Sequence, residues 1–168
     1  MIGLQECAAS TNEMNPLTAA RIHLVLCHVP VMAAFFGSAL LALGLWRVSQ
    51  DLQKSALGMF LLAGVVAVPL YLTGEPAAAV VRPLPEYSDS TLVQHQTAGA
   101  VALAGCIVLA IAALAGLLLL RGKALAPRFA VPLLVGALLV CGLTVWTSTL
   151  GGEIRHSEVR AEAAPESP

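Results

Sequence analysis

Four apolar runs, Ile22–Trp46, Ser55–Leu72, Ala98–Leu120 and Phe129–Leu150, contain no Asp, Glu, Lys or Arg. The hydrocarbon core of a bilayer is about 30 Å thick, and a helix crosses it with about 17–25 mostly apolar residues. Each run is of that length. Only helices and closed barrels satisfy their own backbone polar groups in lipid, so four such runs specify four spanning helices. The rest of the composition agrees: 58% of the 168 residues are hydrophobic and 11% are charged, far from the balance of a soluble domain. The fold class that follows is an all-α membrane protein, an antiparallel four-transmembrane-helix bundle with both termini outside. Residues 1–20 form an N-terminal arm, 21–160 the membrane domain and 161–168 a Pro/Ala-rich tail expected to be disordered. The arm carries Glu6 and Glu13 but no basic cluster, so the first span is expected to serve as its own insertion signal.

Charge in the connections sets the orientation. The two short connections carry Arg47, Lys54, Arg121, Lys123 and Arg128 against the single acid Asp51, and basic loops stay cytoplasmic. The arm, the Thr73–Thr91 connection and the tail hold the other acids and only Arg21, Arg82, Arg155 and Arg160. That side is then the outer, periplasmic face of a bacterial inner membrane. In the long outer connection, Thr73 or Gly74 can cap a short helix with Pro76 in its first turn and Ala77–Arg82 continuing it, while Ser90 or Thr91 caps span three. Pro30 and Pro69 are expected to kink their spans, whereas Pro132 falls in a first turn. Trp46, Tyr71 and Trp146 stand near span ends, where aromatic belts form. Glycines and alanines on several spans supply surfaces for close helix approach and for a homodimer.

All four histidines fall on the outer side. His23 and His28 lie in the first two turns of span one, His95 just before the apolar part of span three, and His156 just after span four. Residues that merely avoid the bilayer centre would populate both faces. A shared level points instead to convergence on a metal, for which neutral imidazole is the commonest ligand. Gly99 lies one helical turn inward of His95, and Gly152 one turn inward of His156, which leaves open backbone beside each ring for a flat macrocycle. At about 100° per residue His23 and His28 point some 140° apart, so they do not serve one metal from one face. Two haems using all four histidines as pairs is the favoured arrangement, and one haem using two of them is the alternative. In the one-haem case His23 is expected to stand apart, because Arg21 beside it marks the water boundary.

Arg82 and Arg155 are candidate partners for haem propionates, since guanidinium matches carboxylate bidentately. Glu75 and Glu153 sit at the same level, and Met32, one turn inward of His28, is a conceivable axial ligand or simply packing. The competing readings are a copper, zinc or nickel-handling protein using the four histidines with Glu75, and a non-catalytic membrane subunit. No Walker, GxSxG, HExxH or CxxCH motif occurs. Any haem is therefore expected to be non-covalent haem b, and an electron-transfer protein is favoured over a catalytic oxidoreductase. Cys7 and Cys27 are the one cysteine pair on the outer side, and Cys106 and Cys141 lie within the bilayer. No nucleic-acid partner is expected.

Paired histidines in span one, "LTGEP" at Leu72–Pro76, His95 opening span three and "GGEIRH" at Gly151–His156 resemble a group of uncharacterised bacterial four-span inner-membrane proteins. By architecture the chain also resembles cytochrome b561-type membrane haem proteins. That resemblance implies b-type haem held by histidines of facing helices and electron exchange with quinol or a periplasmic carrier. The b561-type proteins place ligands toward both faces and this chain has none inward, which argues against electron transfer across the membrane within one bundle.

Overall fold

The computed structural model describes residues 14–84, 87–120 and 124–155. These form α1 (Pro16–Leu26), α2 (His28–Trp46), α3 (Gln50–Leu72), α4 (Gly74–Val81), α5 (Asp89–Leu120) and α6 (Pro127–Arg155). The stretches Pro16–Trp46, Gln50–Leu72, Asp89–Leu118 and Pro127–Ile154 are long and apolar enough to cross a membrane. The chain is a multi-pass, all-α membrane protein. Its bundle closes as a square in which α2 packs on α3, α3 on α5, α5 on α6 and α6 back on α2. The helices α1 and α4 pack on each other at one end, called here the histidine end; the tight connections form the hairpin end.

Side chains sort as a lipid solvent demands. Phe35, Phe36, Val65, Val108, Ile111, Leu118, Leu138 and Leu139 are exposed on the outside of the bundle, where water would penalise them. The interior is built from Leu41, Leu57, Phe60, Cys106, Leu109 and many alanines. Trp46 marks the hairpin end, with the Arg47 guanidinium 5.3 Å from its ring centroid, and Trp146 and Tyr71 mark the histidine end. Because lipid gives helices no hydrophobic reason to associate, van der Waals fit holds them together. Phe60, the largest fully buried side chain, fills the gap that Gly37 leaves: a Cβ on Gly37 would stand 2.5 Å from its Cε1.

Helix ends depart from the sequence reading where polar residues cap. Asn15 Oδ1 accepts the Leu17 N–H at 2.9 Å and Pro16 takes the first helical position, so helix begins within the arm. α5 starts at Asp89, because Ser88 rather than Ser90 or Thr91 caps it: Ser88 Oγ accepts the Thr91 N–H at 3.4 Å. α6 starts at Pro127, which places Pro132 inside the helix rather than in its first turn. The first span is interrupted by a single turn residue at Cys27, whose backbone stays right-handed helical. Pro30 lacks the N–H that would reach the Leu26 carbonyl, and its ring crowds the preceding turn.

The hairpin end is locked by hydrogen bonds. α2 stops in a Schellman motif, with Ser49 N–H on Gly44 O at 2.9 Å and Val48 N–H on Leu45 O at 3.3 Å. Val48 occupies the position normally given to glycine, with φ of 49°. A left-handed conformation costs an L-residue about 1–2 kcal/mol. Val48→Gly is accordingly expected to stabilise the detergent-solubilised protein by about 1 kcal/mol after glycine's entropic cost, measured as a rise in the unfolding midpoint. Beside this turn the buried Gln53 donates Nε2–H to Gly44 O at 3.1 Å and accepts the Leu125 N–H at 2.7 Å. One side chain thus ties α3 to the end of α2 and to the segment entering α6.

Candidate functional site

His23 belongs to α1, which leans on α3 and α4. Its Nδ1–H donates to the Leu70 carbonyl at 3.0 Å, with Thr73 Oγ1 at 3.2 Å. Leu70 is in the last turn of α3, where carbonyls lack a partner in their own helix. Thr73 supplies one donor to it, at 2.8 Å, and His23 the other. Gly74 lies beside the ring, its Cβ position 3.6 Å from His23 Cε1. The "LTGEP" segment is therefore the seat of a histidine. Thr73 spends its hydroxyl on Leu70 rather than on capping α4, which begins with no side-chain cap.

His95, on α5, makes the corresponding bond to α6. Its Nδ1–H donates to the Thr147 carbonyl at 2.9 Å. The ring rests on Gly151, where a Cβ would stand 3.0 Å from Cε1 and 3.4 Å from Nδ1. The expected open patch beside this ring thus belongs to Gly151, not to Gly99. Gly99 faces Thr147 Cγ2 at 3.9 Å, and Gly152 has nothing within 4 Å. Gly151→Val is expected to destabilise the protein by about 1–3 kcal/mol through overpacking, and Gly152→Val to change stability little, as thermal unfolding in detergent will report.

The two imidazoles meet across the end of the bundle, ring centroids 6.4 Å apart and planes at 69°. A carbonyl can only accept, so both Nδ1 atoms carry the proton and both Nε2 atoms present a lone pair. Among the described residues neither Nε2 has a hydrogen-bond partner. A second-nitrogen bond to a backbone carbonyl is the arrangement that fixes a ligating histidine's tautomer and raises its basicity. Leu70 and Thr147 each lie twenty residues from the hairpin-end start of their helix, about 30 Å along the axis. The pair therefore lies about one hydrocarbon thickness from the hairpin end, at the level of α1 and α4.

The other sequence candidates are placed differently. In span one the structure reverses the expectation: His23 joins His95, and His28 stands apart. His28 is exposed and donates Nδ1–H to Leu24 of the preceding turn at 3.2 Å, with Cys27 Sγ at 3.4 Å. Met32 is exposed one turn further along the same helix. Arg82 is committed to Glu75, Nη2 to Oε1 at 2.7 Å, so the guanidinium expected to meet a propionate already holds a carboxylate. Glu75 Oε2 in turn accepts the Gln96 Nε2–H at 2.8 Å. The Glu75 carboxylate raises the Arg82 guanidinium above its ordinary value, and the bond from Tyr87 to Asp89 raises the phenol. Arg21 is exposed and Glu153 half-buried. Cys27, Cys106 and Cys141 are free thiols. His156, the Arg155 side chain, Cys7 and the C-terminal tail lie outside the described residues.

Among the described residues no three His, Cys, Asp or Glu side chains converge where they could hold a metal ion. Sequence reasoning found both histidines of the pair but missed Leu70, Thr73, Thr147 and Gly151. A signal existed for three of them: a helix ending at "LTGEP" leaves orphan carbonyls beside a threonine, and "GG" marks a bare helix surface. Nothing local marks Thr147, whose carbonyl lies inside a regular helix. Comparison with protein-family models, curated proteins and solved structures finds no match for this chain.

Proposed function

We propose that this chain is a membrane b-type cytochrome in which His23 and His95 hold one haem at the histidine end, exchanging single electrons with quinol or a periplasmic carrier. The observation that carries this reading is the pair itself: two imidazoles from separate spans, each with Nδ1 tied to a carbonyl and Nε2 free. The two rings lie 6.4 Å apart between centroids, and His23 and His95 would be the residues that hold the group.

The number of ligands favours haem over a bare ion. A zinc site draws three or four ligands from the protein, whereas a porphyrin brings four nitrogens of its own and asks for one or two axial side chains. Among the described residues the two histidines have no third ligand beside them, which suits the second case. Bound haem would supply reversible one-electron chemistry. The protein's part is to hold the imidazoles. Leu70 and Thr147 fix the tautomers, and Gly74 and Gly151 seat the rings. The orientation with both termini and this site on the periplasmic side of a bacterial inner membrane belongs to the same proposal.

The test is the visible spectrum of detergent-purified protein from haem-replete cells, oxidised and then reduced with dithionite, with haem counted per chain. A sharp Soret band and split reduced α and β bands at one haem per chain are expected. A colourless protein would remove the cytochrome reading.

A further inference from the structure

Glu75 is a chain neighbour of one histidine seat and is hydrogen-bonded to a chain neighbour of the other. The residue before it, Gly74, packs on His23; its own Oε2 holds Gln96, the residue after His95. Its other oxygen carries Arg82 from the far end of the same helix. The side chains of Arg82 and Glu75 are 45% and 63% exposed, and such surface pairs contribute little to stability. An eight-residue helix is also too short to persist without tertiary contacts. Besides its packing on α1, α4 has the Glu75–Gln96 bond as its tie to α5.

We propose that Glu75 is a positioning residue of the histidine site: its carboxylate latches helix α4 onto α5 and places one negative charge, paired with Arg82, at the histidine end. The electrostatic half rests on the haem reading above; the latch does not. An oxidised iron centre carries one more positive charge than the reduced one, so a neighbouring carboxylate favours the oxidised form and a guanidinium the reduced form. Glu75→Gln removes the charge yet keeps an oxygen for Gln96, whereas Glu75→Ala removes the latch.

Two measurements on the full chain decide this. The first is amide hydrogen exchange over α4, which needs no cofactor: Glu75→Ala is expected to speed exchange there several-fold and Glu75→Gln to leave it near wild type. Unchanged exchange in Glu75→Ala overturns the latch. The second is the midpoint potential of the bound haem, expected to rise in Glu75→Gln and fall in Arg82→Gln with the low-spin bands intact. Potentials that stay put, or move in the same direction, overturn the electrostatic role. Wild-type protein lacking haem overturns the cytochrome reading and the potential shifts together, while the exchange result still judges the latch.

Discussion

With haem held as proposed, His95→Ala is expected to abolish the low-spin spectrum entirely, and His23→Ala to do the same, while His28→Ala leaves it unchanged. Each of the first two variants removes one of the only two imidazoles that face each other in the described bundle. His28 spends its ring on the carbonyl of its own preceding turn, on the exposed side of α2. The loss in His95→Ala will not report simple unfolding, because the bond it removes is one hydrogen bond worth about 0.5–1.5 kcal/mol. Far-ultraviolet circular dichroism and a monodisperse gel-filtration peak check that the bundle survives. His95→Gly with added imidazole provides the positive control, since a free imidazole entering the vacated seat should restore the low-spin bands. Full haem content with unchanged bands in His95→Ala would remove this residue from the site.

Gly64→Ala is expected to cost about 1–3 kcal/mol, and Gly64→Leu more, by forcing α3 and α5 apart. A Cβ on Gly64 would collide with Ala110 Cβ and stand 3.0 Å from the Cys106 carbonyl oxygen. Neither is the end of a flexible side chain, so only the helix backbones can yield. In lipid the close approach that a glycine permits is itself the attraction between helices, so spreading the contact removes dispersion along its whole length. Gly58→Ala, on the same helix with nothing within 4 Å, is the control. It should leave stability unchanged or slightly raised, because alanine is the better helix former. Denaturant titration of both variants in one detergent checks the contrast; equal midpoints would show that α3 and α5 do not depend on this contact.

The existence, number and approximate position of the spans were legible in the sequence because the bilayer imposes a length and an absence of charge that few other environments do. The common level of His23 and His95 was legible for the same reason: alternating helix direction and a fixed rise per residue convert sequence position into depth. Which histidines meet was not. Span one is interrupted by a turn at Cys27, three residues before Pro30, and the α1 segment that carries His23 packs on α4 and α3. Periodicity along one straight helix cannot anticipate that turn. Nor could it choose between Gly151 and Gly152, or find the Thr147 carbonyl, because these depend on the rotation and offset between α5 and α6, which side-chain packing sets. Depth in a membrane is a one-dimensional property that a chain carries residue by residue; direction around a helix axis is decided only when four helices fit together.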